Sequence, residues 1–325
     1  MTLRCGIIGA GQIAWGYDGG RWDGQHSLTH ASCFDRHGDT DLVAVFDPIK
    51  ASRDTFSTDY TGPSEVAVLD NLQDFLALDL DLVAIASPTR HHGDHLRACV
   101  DAGVARLWVE KPVTLELSEF EDLRAHIDAM QTPPRICVNY FRRALPQVTR
   151  LKAYVQSGVA LTRGEVSYSR ALTVNGVHLL DLLGHLFDVT TPPPLDWVRA
   201  DASGANPDFG LTLAGVPITV TGHDLPYHLI ELRLTGRDGR LALTQSGGAL
   251  TWEAAQPNPD YPGFFHMAAP CPEMPFVTTQ AAMRDGMFLM LDNLVDEQAT
   301  PVSPLKSAYF AQSVLTLVAD AGGLL

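Results

Sequence analysis

Gly9-Ala10-Gly11-Gln12-Ile13-Ala14 fits the spacing G-x-G-x-x-G/A, in which each small residue has a separate task. Gly9 permits a tight turn, Gly11 lets the backbone approach a pyrophosphate, and Ala14 lets a following helix pack on the preceding strand. The amino terminus of that helix, with Gln12 and Ile13 in its first turn, would point free N–H groups at the phosphates. Asp47 stands where a carboxylate accepts hydrogen bonds from an adenosine ribose, and its charge would repel a 2′-phosphate, which favours NAD over NADP. It follows Gly11 by 47 − 11 = 36 residues, against a usual spacing of about 20. The excess is a glycine- and aspartate-rich run over 16–25. A glycine-rich turn that binds something else is the competing reading; strand, helix and acid in sequence favour a dinucleotide.

Other polar groups follow apolar runs. Ser87-Pro88-Thr89, with His92 three residues later, and Val109-Glu110-Lys111-Pro112 both do so. An ammonium beside a hydroxyl or carbonyl stabilises developing alkoxide, so Lys111 is either a catalytic group or an ordinary surface lysine. The imidazole of His178, a side chain with an ordinary pKa near ~6.5, suits removal of a hydroxyl proton. Yet His178, Asp181, His185 and Asp188 recur at helical spacing, which also describes a solvated face. Asn175 could hydrogen-bond a substrate, and Asp181 at i+3 could interact with His178. Tyr140, Arg142 and Arg143 could hold hydroxyls or an anionic group, or enter ion pairs. His91-His92-Gly93-Asp94-His95 is rich in metal ligands, but its spacing is wrong for a site and no metal is expected.

These residues need elements to place them. Up to residue 152, β-branched runs alternate with amphipathic ones, the pattern of βαβ units. Strands are predicted over 3–8, 41–47, 81–86, 105–109 and 135–140, and helices over 93–102 and 118–130. The first helix is interrupted over 16–24 and resumes over 27–34. The predicted fold for 1–140 is a Rossmann-type, doubly wound parallel sheet that binds NAD(P). The rest, 141–325, reads as a mainly antiparallel open sheet with helices on one face, serving substrate binding and oligomerisation. Its helices are predicted over 146–156, 176–187, 278–297 and 304–321. Its strands are predicted over 161–172, 195–202, 209–213, 217–223 and 229–234, the last turning through Gly236-Arg237-Asp238-Gly239 into 240–244.

A chain of 325 residues exceeds what one core usually serves, so two domains are expected. With 46% hydrophobic and 19% charged residues, disorder and coiled coil are excluded. The net charge, 23 − 38 = −15, disfavours nucleic acid and anionic membrane surfaces. The start of the chain runs into an apolar strand and not a signal peptide, and no apolar run reaches the ~18 residues of a membrane span. Five scattered cysteines read as reduced thiols of a cytoplasmic protein.

GAGQIA, ASPT with His92, VEKP, VNYFRR followed by Pro146, and Gly176-x-His178-x-x-Asp181 together resemble the Gfo/Idh/MocA (glucose-fructose oxidoreductase / inositol dehydrogenase) family over nearly the whole chain. WGYDGG, Thr29-His30-Ala31 and NGVHLLDLL are more narrowly similar to predicted dehydrogenases of surface-polysaccharide biosynthesis. The resemblance implies an NAD(P)-dependent dehydrogenase moving hydride between a sugar or cyclitol CH–OH group and nicotinamide. It further implies that Lys111 contacts the reacting hydroxyl, that the bond before Pro112 is cis, and that His178 donates and accepts the proton. Implied cofactor contacts are Gly9, Gly11, Gln12, Ile13, Asp47, Ser87, Pro88, Thr89, His92, Glu110 and Lys111. Implied substrate contacts are Lys111, Tyr140, Arg143, Asn175, His178 and Asp181, in a cleft made locally basic by Lys111, Arg142, Arg143 and His178. The site is expected between the nicotinamide end of the first domain and one face of the second domain's sheet. Where the family often has Asp, four residues before the histidine, this chain has Val174. A catalytically silent NAD(P)-binding regulator of the same fold is the alternative, and a reductase of a non-sugar imine or enone a third. A homo-oligomer, dimer or tetramer, is expected by analogy.

Overall fold

The computed structural model describes residues 2–20, 23–25, 27–201, 203–273 and 277–322. Arg21 and Trp22 of the glycine-rich run, and the predicted strand end at 202, lie outside the described residues. The chain forms two compact units, 1–141 with 283–308, and 142–282 with 309–325. A late segment therefore belongs to the first unit, which a division at 140/141 did not anticipate.

Runs that are apolar on both faces become the strands of the first unit. In Leu82–Ile85 all four residues are buried, and in Leu3–Ile8 the last four are. The strands β1 (Leu3–Ile8), β2 (Thr40–Phe46), β3 (Ala67–Leu69), β4 (Leu82–Ile85), β5 (Arg106–Val109) and β6 (Arg135–Val138) form a parallel sheet in the order β3-β2-β1-β4-β5-β6. The order reverses between β1 and β4. Such a switch point leaves a crevice at the carboxyl ends of the strands. The helices are α1 (His30–Arg36), α2 (Lys50–Asp59), α3 (Leu72–Leu76), α4 (His92–Asp101) and α5 (Leu117–Asp128). The late segment joins this unit through β6, where Arg135 donates to the carbonyls of Asn293 and Ala299, each at 2.7 Å.

The helix expected after β1 is reduced to one π turn, Gln12–Gly16. Gly16 ends it, Gly19 and Gly20 follow, and Gly20 takes φ +67°. Asp18 then turns the chain back. Its buried carboxylate accepts from Leu28 N and Thr29 Oγ1, both at 2.8 Å, and from Ser32 Oγ at 2.5 Å. Thr29 and Ser32 form a reciprocal capping box that starts α1.

In the second unit α6 (Pro146–Gln156) opens with proline in its first turn, where the missing N–H costs nothing. β7 (Leu161–Ser169) follows. That strand was expected to reach 172, but Arg170 and Ala171 take φ 64° and 72° and lead into a second π turn, Ala171–Gly176. Next come α7 (Val177–Phe187), β8 (Leu195–Arg199), β9 (Asp208–Leu213), β10 (Val216–His223), β11 (Ile230–Gly236), β12 (Gly239–Thr244), β13 (Ala249–Pro257), β14 (Phe265–Met267) and β15 (Cys271–Pro272). The sheet order is β14-β13-β12-β11-β7-β10-β9-β8, with β15 on β13. Only β7 and β10 among these neighbours run parallel. Strict alternation in β12, buried on every second residue, leaves one face for the core. The helix α8 (Thr279–Val295) straddles the unit boundary in sequence, and α9 (Tyr309–Gly322) packs on α7. Among the described residues no helix is long and apolar enough to cross a membrane.

Asp18→Ala removes three hydrogen bonds at once, two of them buried, and is expected to cost about 2–3 kcal/mol, read from urea unfolding. Asp18→Asn, which keeps an acceptor, should lose less. An unchanged midpoint in Asp18→Ala would mean that the loop is held elsewhere.

Candidate functional site

At the carboxyl ends of β1, β2 and β4 lies a cleft of about 470 Å³, lined by Gly9, Gly11, Gln12, Ile13, Asp47, Ser87 and Pro88, with His91 and His95 on the β4 side. Gly9 has φ +100°, and a Cβ on it would lie 2.7 Å from Ser87 N. Only glycine fits there. At Gly11 a Cβ would meet nothing within 4 Å, so a side chain would occupy space that a ligand needs. Asp47 fixes the turn: Oδ2 accepts from Ala10 N at 2.9 Å and Oδ1 from Ile49 N at 2.8 Å. Each oxygen keeps acceptor capacity for a ribose hydroxyl. The cleft's size, its glycine cradle and its acid thus fit a dinucleotide. With one π turn in place of a helix, the phosphates would be met by the turn's own N–H groups, with little macrodipole behind them.

Four of the predicted cofactor residues lie off this cleft. Thr89 starts a 3-10 turn, Thr89–His91. His92 is buried and joins two segments, with Nε2 2.6 Å from Ser87 O and Nδ1 2.8 Å from Pro112 O. Glu110, also buried, accepts on Oε1 from Asn139 Nδ2 at 2.6 Å and contacts His30 Nε2 at 3.1 Å; Oε2 accepts from Lys111 N at 3.3 Å. Burial alone would push this carboxyl up, but His30, the Lys111 charge and Asn139 together hold it below the ordinary glutamate value. Lys111, half-buried, precedes a cis peptide bond to Pro112. Tyr140 is buried within the first unit. Among the described residues no three His, Cys, Asp or Glu side chains group as metal ligands.

In the second unit the π turn and α7 carry Asn175, His178 and Asp181, all buried. His178 and Asp181 are enclosed and so do not belong to a solvated face, whereas His185 is half-buried and Asp188, which caps the helix, is exposed. Arg143 takes Asp181 in a buried two-toothed pair at 2.7 and 2.6 Å. Of the readings open for Arg143, the structure realises ion pairing, and the carboxylate expected to serve His178 is engaged by the guanidinium. The positive charge expected from Arg143 is cancelled in the same way. Val174 is 51% exposed. Two further residues escaped the sequence reading. His228 lies 3.2 Å from Asn175 Nδ2 and 3.0 Å from Ser246 Oγ, and Ser246 in turn accepts from the buried Arg142. Gln245 and Ser246 take φ 52° and 58°. Together with Arg170 and Ala171 they account for four of the seven non-glycine residues with positive φ among the described residues, the kind of backbone strain that concentrates at functional sites. The sequence reading passed over Ser246-Gly247-Gly248, although its composition is that of a turn; nothing in the local sequence marks His228.

His95 gives a pH test of the cofactor cleft. Its Nδ1 lies 2.9 Å from Ser87 Oγ, and burial, with His91 and His92 adding to it, lowers its pKa from 6.5 to about 4. The folded value lies below the unfolded one, so this contribution to stability is complete above pH 6.5 and is lost as pH falls toward 4. Urea midpoints of His95→Asn should decline less than those of the wild type across that interval. Parallel declines would assign the acid sensitivity to other groups.

Residues 3–139 match the family model described as an oxidoreductase family with an NAD-binding Rossmann fold. A stretch of 159 residues, 49% of this chain, is 29% identical to an inositol 2-dehydrogenase of Rhizobium meliloti (strain 1021) and spans 42% of that protein. The WlbA dehydrogenase of Bordetella pertussis, solved with NADH and UDP-GlcNAcA, superposes with a TM-score of 0.74 at 16% identity, covering 99% of this chain and 97% of that one. A super-repressor mutant of Gal80p from Saccharomyces cerevisiae gives 0.74 at 12% identity, covering 100% and 96%. At such identities the structural likeness is one of fold. The match over 3–139 bears out the resemblance to the Gfo/Idh/MocA family, whose NAD-binding Rossmann fold those residues match.

Proposed function

We propose that this chain is an NAD(P)-dependent oxidoreductase that moves hydride between a sugar, sugar derivative or cyclitol hydroxyl, or the matching ketone, and nicotinamide. The observation that carries the reading is the anchoring of the Lys111 segment. It leaves β5, one strand from the cleft wall formed after β4, and its cation sits beside a buried, ionised carboxylate. When bound, nicotinamide supplies the hydride acceptor or donor. Lys111 polarises the reacting oxygen and stabilises alkoxide character as the C–H bond breaks. His178 exchanges the hydroxyl proton, a role assigned by the family motif. The Arg143–Asp181 pair holds α7 and thereby orients His178, while Asn175, backed by His228, hydrogen-bonds a substrate hydroxyl. A relative named inositol 2-dehydrogenase and a neighbour solved with a sugar nucleotide support the substrate class. Asp47, held by two N–H groups, disfavours a 2′-phosphate, so NAD is the cofactor proposed. A cytoplasmic homo-oligomer completes the reading.

A panel of pyranoses, sugar nucleotides and inositols with NAD⁺ or NADP⁺, followed by nicotinamide absorbance, tests it. Lys111→Met and His178→Asn should each lower kcat/KM by about 10²–10⁴-fold with NAD⁺ affinity nearly unchanged. Wild-type rates in both variants, or NADH binding without turnover of any panel member, would sink the assignment.

A further inference from the structure

We propose that His30 is a positioning residue for Lys111 and acts on it through the Glu110 carboxylate. The inference rests on Lys111 being the working cation. His30 is the first residue of α1, is fully buried, and stands edge-on to Trp108 with ring centroids 4.2 Å apart at 84°. Donor chemistry fixes the direction of every bond around it. An indole N–H only donates, so Trp108 Nε1, 3.2 Å from Asn139 Oδ1, orients that amide and leaves Asn139 Nδ2 to donate to Glu110 Oε1. An ionised carboxylate only accepts, so His30 must present Nε2–H to the same oxygen, at 3.1 Å. The other oxygen accepts the backbone N–H of Lys111. Groups from separate elements therefore converge on one carboxylate: His30 from α1 and Asn139 after β6, the latter also 3.0 Å from Met287 of α8. The titratable groups facing Glu110 are His30 and Lys111.

A buried carboxylate ionises only while such donors outweigh its desolvation. Among the groups that oppose burial at Glu110, the His30 hydrogen bond ranks first. Removing it takes from Glu110 Oε1 one of the donors that fix it, so the carboxylate, still charged at the pH where a lysine titrates, is no longer held in place beside the Lys111 ammonium. The interrupted first helix gains a purpose from this: Asp18 and the Thr29–Ser32 box set the position of α1, and hence of His30, which follows Thr29 directly.

The test reads Lys111 itself and needs no substrate, so it can fail independently of the oxidoreductase reading. The full chain is labelled with acetic anhydride over a pH series, and modification of Lys111 is quantified by mass spectrometry. In His30→Phe, which keeps a ring against Trp108 but no donor, the midpoint of labelling should fall by about one pH unit. Glu110→Gln should show the same fall, and the double variant no further one. His30→Gln, whose amide N–H can replace Nε2–H, should return the midpoint toward wild type. A purely structural role would lower Tm without moving the midpoint. A wild-type midpoint in His30→Phe, no shift in Glu110→Gln, or additive shifts would each overturn the proposal. Should His30→Phe fail to fold, ¹⁵N NMR of the wild-type imidazole decides: protonated Nε2 supports the relay, and a bare Nε2 refutes it.

Discussion

The first unit depends on one close passage of backbone past backbone. At Gly9 the chain leaves β1 so near to Ser87 that a Cβ would lie 2.7 Å from its nitrogen. The strand end is held from both sides, by Gly9 N on Phe46 O at 2.7 Å and Ala86 N on Ile8 O at 2.8 Å. The turn therefore cannot relax away from β4. A cleft opens along it because Gly9 has no side chain to collide with β4 and Gly11 none to fill the space. Asp47 completes the constraint by tying Ala10 to the entry of α2. Rigidity here comes from ladder bonds and one carboxylate, and it survives the loss of the helix that ordinarily follows such a turn.

Buried carboxylates recur as organisers. Asp18 returns the glycine-rich loop to α1, Glu110 gathers donors beneath Lys111, and Asp181 binds Arg143 against α7. A buried ion pair is a weak source of net stability, since desolvation offsets most of the attraction; removing one partner is what costs several kcal/mol, about 3–5. Their value lies in geometry. Each acid accepts two or more directed bonds and so fixes a segment that local propensity leaves undefined. The net charge of −15 describes the whole composition and predicts none of these three environments.

What was legible in the sequence was what local pattern encodes. The glycine motif, the apolar parallel strands and α6 follow from periodicity and from the identities of a few small residues. The strand expected through 172 ended at 169 because Arg170 and Ala171 adopt positive φ, which their side chains do not announce. β13 was missed because only its first two residues are fully buried and the rest show no alternation. The placement of 283–308 with the first unit rests on bonds such as Val138 N to Ser303 O and Arg135 to Asn293, at separations that no window spans. His228 and Ser246 belong to the same class. The motif that carried Thr29-His30-Ala31 was readable as a resemblance, but the reason for its histidine became visible only once Glu110, 80 residues away, stood beside it.

A fold shared with both a dehydrogenase and a yeast super-repressor cannot itself decide activity; the side chains must. Holding a dinucleotide requires the glycine turn and Asp47, and both line the cleft. The Glu110 array does not line it. Keeping a carboxylate charged in a buried place demands donors from separate elements, and the consequence falls on the adjacent ammonium rather than on the cofactor cleft. A protein that only sensed the cofactor would have no use for that expenditure of buried polar groups, whereas one that must hold a cation at a fixed place while charge develops on a substrate oxygen does. The arrangement around Lys111 thus weighs for chemistry over binding alone.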